Sequence, residues 1–260
     1  MLGRDPSFKH VFTAGDIAEP LASVTEGEAE KMNMLFEMKN FDVIGFEEDD
    51  QVIGFLVRGE VTDPENLRAF VHPFKISHLI SENTDLLECL HLLHPKTRLF
   101  IINKSEVDAI VTISDIQKPA VRMLFFGIIT YFESNAAGLI ESVYPDNRWV
   151  ECLSENRRDK ALATYGSLHK RNTEIDLISC TQLSDKVSIF MEDDELRDQF
   201  IETSKTKADR FFNRIIRLRD DLAHAQSLTN WFEEKEVVDL VSWLIEVTER
   251  IAVRNSGRKG

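Results

Sequence analysis

The chain has 260 residues, of which 43% are hydrophobic and 29% charged, a composition that fits an ordinary globular protein with two domains. The formal net charge is −14, with 11 basic against 21 acidic residues in positions 1–120 and 20 against 24 in the remainder, which argues against a domain that binds duplex nucleic acid nonspecifically. There is no signal-peptide pattern, no apolar run near the ~20 residues that span a bilayer and no disulfide or metal spacing among three cysteines, so we expect a cytoplasmic protein without membrane contact.

Two strand-turn-strand patterns of the N-terminal half lie 55 residues apart. The first has apolar runs at 42–46 and 52–57 around the turn 47–50, and the second has runs at 99–102 and 107–113 around the turn 103–106. β-Branched and aromatic residues on both sides of a polar turn are typical of hairpins. A helical pattern precedes each hairpin, at 26–39 and at 84–93, so the sequence predicts two copies of one structural unit.

This half resembles a tandem CBS (cystathionine β-synthase) module. The residues that carry the resemblance are 13–17 at the entry, 52–55 in the first hairpin and 109–115 in the second. The resemblance covers about residues 8–120 and implies a domain over 1–118, with βαββα repeats at about 8–64 and 65–118. In the family the repeats pack sheet against sheet, and the clefts between them often bind an adenine nucleotide such as AMP or ATP.

The residues that the resemblance assigns to this nucleotide are Thr112, Ser114 and Asp115. In the family's Gly-x-x-Thr/Ser-x-x-Asp segment, the hydroxyl binds phosphate and the carboxylate accepts from the ribose hydroxyls. Ala109 replaces the usual glycine here, and the first copy has Val57 and Glu60 in the hydroxyl and Asp positions, so at most one good nucleotide site is expected. Residues 112–115 would equally suit the cap of a following helix, and both interpretations stay open.

From Pro119 onward apolar residues recur at steps of three and four, which indicates helices. Helices are predicted at 119–143, 157–172, 195–203, 206–226 and 236–253, the first ending before Pro145. The sequence therefore predicts an all-α bundle over 119–254 and a flexible tail at 255–260, and the fold class of the whole chain is α+β.

In the penultimate predicted helix, four residues separate Arg219 from His224, and Asp220 directly follows the arginine. On these residues the C-terminal half resembles the HEPN (higher eukaryotes and prokaryotes nucleotide-binding) family, helical bundles that usually dimerise and often act as metal-independent ribonucleases. Arg217 meets the family's longer spacing, and Glu133 in the first helix could orient the site. The family often has Asn where this chain has Asp220, and the added negative charge would weaken RNA binding.

The resemblance implies cleavage of RNA by its own 2′-hydroxyl, with no metal or cofactor required for catalysis. Histidine would move the protons and arginine would stabilise the charged phosphorane, giving a 2′,3′-cyclic phosphate and a 5′-hydroxyl. On a helix Arg219 and His224 lie about 140° apart, so one helix cannot easily aim both side chains at one atom. A homodimer, in which each protomer contributes to one cleft, is therefore part of the expected mechanism.

The expected function is thus a ligand-regulated endoribonuclease, in the setting of stress or phage defence. The alternative is a nonenzymatic dimeric signalling or RNA-binding module, which Asp220, Asp221 and the overall acidity favour. Three plainer interpretations also stay open: His224 could pair with Asp220, Glu133 could lie on the exposed edge of its helix, and the six basic residues of 205–219 could be solvated surface rather than a phosphate-binding face.

Overall fold

The structure is a computed structural model that describes residues 11–171, 174–233 and 236–257. The fold is mixed α+β and consists of two compact units, with the boundary between Val121 and Arg122. The predicted boundary after residue 118 lies three residues earlier. The predicted start of the first repeat, at residue 8, lies outside the described residues.

Two four-stranded sheets form the described part of the N-terminal unit. The strands are β1 (Glu19–Pro20), β2 (Ser23–Val24), β3 (Val43–Glu48), β4 (Gln51–Val57), β5 (His72–Pro73), β6 (Leu79–Ser81), β7 (Arg98–Asn103) and β8 (Glu106–Thr112). The helices are α1 (Ala29–Asn33), which continues as a π-helix over Met34–Met38, and α2 (Leu86–Leu93).

The two sheets are copies of one arrangement. One has the strand order β1-β8-β7-β6 and the other has the order β5-β4-β3-β2. Strands β1 to β4 thus correspond in turn to strands β5 to β8, and this correspondence relates one sheet to the other. The predicted hairpins β3–β4 and β7–β8 are confirmed, and each has a register shift at the same repeat position, between Phe46 and Glu47 and between Ile101 and Ile102. In each sheet the first strand comes from the opposite repeat, which ties the two repeats together.

The inner faces of the sheets share an aromatic core. The ring of Phe55 lies 4.9 Å from that of Phe100, and Phe74 packs edge-on against Phe100 at 4.8 Å. Gly54 is required by a close backbone approach, because a Cβ there would lie 2.5 Å from the carbonyl oxygen of His72. Aromatic packing therefore joins the inner faces of the two sheets, and Gly54 allows the backbone of β4 to approach His72.

The helix predicted at 26–39 is shorter and irregular. It begins at Ala29, and its second half is π-helical over Met34–Met38. The wider π turn lets the consecutive residues Leu35 and Phe36 both enter the core with Met32. A regular α-helix would turn these two neighbours 100° apart, so packing prevails over the regular helical pattern.

The C-terminal unit is all-α in its described part. Its helices are α3 (Pro119–Val143), α4 (Glu155–His169), α5 (Leu183–Glu192), α6 (Asp194–Phe200), α7 (Lys205–Ala223), α8 (Thr229–Glu233) and α9 (Glu236–Gly257). Pro119 occupies the first turn of α3, and the helix stops two residues before Pro145, as predicted. The sequence did not predict α5 and α8.

Helix α9 extends further than predicted and includes residues 255–257 of the expected flexible tail. The side-chain amide of Asn255 donates a hydrogen bond to the carbonyl oxygen of Asn135 at 3.2 Å, which attaches this last turn to α3. Residues 258–260 lie outside the described residues. Helix α7 is shorter than its predicted range 206–226, because Ala225 adopts a left-handed conformation with φ +53°.

Helix α3 is the most apolar helix of the unit. It is 25 residues long with a hydropathy of 1.4 over its best window, so by length and composition it could span a membrane, contrary to our expectation that no apolar run approaches that length. The core helix of a soluble bundle meets the same criterion. Phe132, Ala136, Leu139 and Ile140 of α3 are fully buried inside the unit.

Candidate functional site

The C-terminal end of α7 carries the predicted catalytic residues. Ser204 caps the beginning of this helix by accepting a hydrogen bond from the backbone N–H of Lys207, and the helix ends at Ala223. His224 follows with φ −96° and ψ 11°, and its backbone N–H donates to the carbonyl oxygen of Asp220 at 3.0 Å. The chain leaves the helix at His224, which is exposed to solvent.

The side chains of Arg219 and Asp220 form an ion pair. Nη1 of Arg219 lies 3.0 Å from Oδ1 of Asp220, and the two side chains are 42% and 54% exposed. An exposed ion pair of this kind contributes about 0–1 kcal/mol, so a phosphate group could replace the carboxylate at little cost. The Asp220 carboxylate thus lies beside the arginine, whereas its expected alternative partner was His224.

Arg217 lies on a different side of α7. Its position is two residues before that of Arg219, which places the two side chains about 160° apart around the helix. The guanidinium carbon of Arg217 is 5.7 Å from the centre of the Trp231 ring, and that of Arg214 is 5.5 Å from the same ring. Arg217 and Arg219 therefore do not converge on one point within a single chain.

Glu133 is engaged elsewhere in the bundle. Its Oε1 lies 3.0 Å from Nζ of Lys186, a lysine of α5 whose side chain is only 4% exposed. The ammonium group also donates to the carbonyl oxygen of Thr181 at 2.9 Å. This contact makes Glu133 the counterion of a buried lysine, and its role in orienting Arg219 or His224 stays a prediction.

An open groove of about 740 Å³ runs between α3 and the last turn of α7. Met123 and Phe126 line it and are 53% and 42% exposed, and Leu222 and Ala223 form its other side. Exposed large apolar side chains gathered in one place are typical of contact surfaces. His224 directly follows the residues that line this groove.

A second cavity, of about 660 Å³, lies in the N-terminal unit and contains all three predicted nucleotide-binding residues. Its lining includes Thr112, Ser114 and Asp115 together with Glu19, Asp42 and Arg98. The guanidinium of Arg98 is placed over the Phe55 ring, with its carbon 5.9 Å from the ring centre. The cavity thus combines hydroxyl, carboxylate and cationic groups.

The Asp115 carboxylate is largely occupied by its own segment. Oδ2 accepts hydrogen bonds from the backbone N–H of Thr112 at 2.7 Å and from its hydroxyl at 3.0 Å, which is a capping box on the short 3₁₀ helix Ile113–Gln117. Oδ1 lies 3.0 Å from Nζ of Lys118. The capping interpretation is therefore realised, and the carboxylate keeps about one of its four acceptor positions for a ligand.

Lys118 links the two carboxylates at this cavity. Its ammonium nitrogen lies 2.5 Å from Oε1 of Glu19 and 3.0 Å from Oδ1 of Asp115. Burial alone would lower the pKa of Lys118, but hydrogen bonds to Glu19 and Asp115 raise it above its usual 10.5. The lysine therefore stays charged at neutral pH and partly offsets the acidic lining.

The corresponding positions of the first repeat are arranged differently. Glu60, in the position of Asp115, lies 2.6 Å from Nε2 of His72, and His72 stacks on Phe55 with the ring centres 5.3 Å apart. Val57 supplies no hydroxyl. The acid of the first repeat is therefore already paired with a histidine, and the number of nucleotide sites stays a prediction.

Several residues that matter at these sites were not predicted. Lys186 and Lys118 pair with partners identified from the sequence, but nothing local marks them. Trp231 holds two arginines and donates its indole N–H to Oδ2 of Asp221 at 2.8 Å. The sequence feature that could have predicted these contacts is a tryptophan shortly after a stretch of arginines, because Arg and Trp form favourable cation–π contacts.

Comparison with known proteins yields little. No family model matches the chain, and no curated protein matches it. Part of the chain is similar to the crystal structure of Hypoxic Response Protein I with two coordinated zinc ions, at 22% identity, a TM-score of 0.30, and coverage of 40% of this chain and 95% of that one. This similarity is too weak to support an argument about fold or function.

Proposed function

We propose that the chain is a ligand-regulated, metal-independent endoribonuclease, with a tandem CBS module before a HEPN-like bundle. The observation that carries the nuclease is the position of His224, exposed at the end of α7 and one helical turn after Asp220, which pairs with Arg219. Imidazole is the side chain that enzymes most often use to take and return a proton. A guanidinium held by a weak surface pair is available to a phosphate group.

In the proposed reaction an imidazole removes the proton from a 2′-hydroxyl, whose oxygen attacks the adjacent phosphorus. The bond from phosphorus to the 5′-oxygen breaks, and that oxygen takes a proton from an imidazolium. Arg219 stabilises the charge that builds on the nonbridging oxygens. The products are a 2′,3′-cyclic phosphate and a 5′-hydroxyl.

Dimerisation completes the proposed site. Arg219 and His224 diverge around the axis of α7, so a second protomer is needed to bring an arginine and a histidine to one phosphate. The groove beside Phe126 and Leu222 has the exposed apolar lining that a two-fold contact would bury. Because His224 borders this groove, a second copy seated there would bring two such histidines near each other.

The proposed sensor is the cavity around Thr112 and Asp115. Arg98 supplies a cation for a phosphate group, and the remaining acceptor position of Asp115 can take one ribose hydroxyl. A single adenine nucleotide per chain is expected, because Glu60 of the first repeat is paired with His72. Helix α3 begins four residues after Asp115, which gives a ligand there a direct covalent route to the bundle.

The deciding experiment is cleavage of end-labelled structured and unstructured RNAs in excess EDTA. We expect the wild type to cut and His224→Ala to lose at least about 100-fold in rate, the usual minimum for general acid–base catalysis. His169→Ala is the matched control, because His169 is likewise exposed at the C-terminal end of a helix. Equal cutting by the wild type and His224→Ala would reject the nuclease, and rates unaffected by AMP or ATP would reject the sensor.

A second candidate is a nonenzymatic dimeric signalling or RNA-binding module. The contact that favours it is the Asp220 carboxylate on the Arg219 guanidinium, which places a negative charge where a phosphate would bind. Absence of cutting by both proteins, with RNA still bound by the wild type, would support this function over the enzyme. Asp220→Asn separates the two further, since it should accelerate a nuclease that Asp220 restrains.

A further inference from the structure

Helix α7 carries a stripe of basic residues N-terminal to the proposed active site. Lys207, Arg210, Arg214 and Arg217 fall within about 80° of the helix circumference. The eleven residues from Lys207 to Arg217 rise about 15 Å along the helix axis, a length that can contact more than one backbone phosphate. Asp209, the only acid among 205–219, lies outside the stripe, about 120° from its centre, so these four positions form a cationic stripe in a protein of net charge −14.

Aromatic rings support three of these cations. The ammonium of Lys207 is 5.4 Å from the centre of the Phe211 ring, and the guanidinium groups of Arg214 and Arg217 lie over Trp231. The ring of Phe211 in turn packs against that of Trp243, with the ring centres 4.8 Å apart. The rings restrict the long side chains, which lowers the conformational entropy that a bound ligand would have to remove.

Stacking leaves the binding edge of a guanidinium accessible. A guanidinium that lies over an indole uses its face, whereas the N–H groups that bind phosphate project from its edge. Arg217 is an exposed residue and forms no ion pair within the described part of the chain. Its contact with Trp231 therefore positions it for an acceptor without consuming its donors.

We infer that this stripe is a binding track for a single RNA strand, with backbone phosphates along Lys207 to Arg217 and the strand continuing to His224. The inference rests on the proposed function, since it names the surface that delivers RNA to that site. Flexible single strands suit the track because it is one helix wide and offers a line of cations but no paired groove walls. Asp221 lies on the same face of the helix one turn beyond Arg217, and its carboxylate accepts a hydrogen bond from the Trp231 N–H at 2.8 Å.

The test measures binding separately from cleavage. A fluorescein-labelled, 2′-O-methylated 12-mer cannot be cut by 2′-hydroxyl attack, and its affinity is followed by anisotropy from 50 to 200 mM KCl. We expect Lys207→Gln with Arg217→Gln to weaken binding about tenfold at 100 mM KCl and to reduce the salt slope by about 1.4, the value for two phosphate contacts on a single strand. Arg148→Gln with Lys160→Gln is the control, because Arg148 stacks on Tyr144 at 5.3 Å in the same way and the charge change is equal.

Equal affinity and salt slope in the track variant, the control variant and the wild type would overturn the track. Equal affinity of the wild type for a poly-glutamate peptide would also overturn it, because it would indicate a protein partner. Unchanged binding together with His224-dependent cleavage of ordinary RNA would remove the track and leave the nuclease standing. Track-dependent binding without any cleavage would support the track and reject the nuclease.

Discussion

The ammonium nitrogen of Lys186 lies 3.0 Å from the carboxylate of Glu133 in α3, and the lysine side chain is 4% exposed. Removing the charge of Glu133 would leave the buried ammonium of Lys186 without its counterion. Because a buried unpaired charge destabilises the folded state, we expect Glu133→Gln to lower the free energy of unfolding by about 3 kcal/mol. Urea denaturation followed by circular dichroism measures this change. RNA cleavage by the folded variant should stay within a few-fold of the wild type, because Glu133 acts on Lys186.

The companion variant carries both Glu133→Gln and Lys186→Met. It should recover much of the lost stability, since it no longer buries an uncompensated charge. A Glu133→Gln protein of normal stability that no longer cleaves RNA would contradict this assignment and return Glu133 to the active site.

Asp115 and Asp16 offer a matched pair of capping residues. Asp16 closes a capping box with Thr13, accepting its backbone N–H at 2.7 Å, just as Asp115 does with Thr112. Only the second box lines the described 660 Å³ cavity. Each Asp→Asn change should cost about 1 kcal/mol from the weakened cap. Calorimetric titration with AMP should detect loss of binding in Asp115→Asn and normal binding in Asp16→Asn.

Equal effects of the two variants on AMP binding would mean that Asp115 contributes through the fold alone. Normal AMP binding by Asp115→Asn would show that the nucleotide, if bound, lies elsewhere. Both outcomes contradict the sensor site as placed here.

The elements predicted most accurately are those determined by local sequence. The two hairpins follow from alternating β-branched residues around polar turns, and α3 follows from Pro119, a long apolar stripe and Pro145. Helix α5 was missed because its sequence contains Asp185 and Lys186, which look like surface residues but are buried. Their partners, Arg157 and Glu133, are distant in sequence, so only tertiary structure shows why these charges are tolerated.

The candidate sites show the same limit. The sequence identified His224, Arg219, Thr112 and Asp115, but it could not decide which acceptor each polar group already serves. The Asp115 carboxylate forms a cap and an ion pair with Lys118, and these contacts depend on the turn that follows β8. The spacing of residues in the sequence predicts which of them lie near a site. How many hydrogen bonds each group can still form is known only from its contacts in the folded structure.

The groove between α3 and α7 predicts a change of oligomeric state. Phe126 is 42% exposed there, and burying an aspartate in an apolar dimer contact is strongly unfavourable. We expect Phe126→Asp to convert a dimer into a monomer in sedimentation velocity and to abolish RNA cleavage. Leu162→Asp is the control, because Leu162 is a similarly exposed apolar residue of α4, 46% exposed, outside the groove.

A Phe126→Asp protein that remains dimeric would show that the two-fold contact lies on another surface. A monomeric variant that still cleaves RNA would contradict the composite site, because one chain would then suffice for catalysis.

Tyr144 predicts a pH dependence of stability. Burial and the hydrogen bond from its hydroxyl to the Asp193 carboxylate raise the pKa of Tyr144 from 10.0 to about 12. Because the folded-state pKa is raised, this phenol contributes stability fully below pH 10, and the contribution is lost as pH rises from 10 towards 12. The advantage of the wild type over Tyr144→Phe in urea denaturation should therefore be constant from pH 8 to 9.5 and shrink above pH 10.

The difference in ultraviolet absorbance between wild type and Tyr144→Phe gives the titration of this phenol directly. Asp193→Asn should move it to lower pH, because a neutral amide no longer repels the phenolate, while it can still accept the capping hydrogen bond from the backbone N–H of Leu196 that Asp193 accepts at 2.9 Å. A Tyr144 titration near pH 10 in the wild type would contradict the contact with Asp193, since an unperturbed phenol neither loses solvent nor faces a carboxylate.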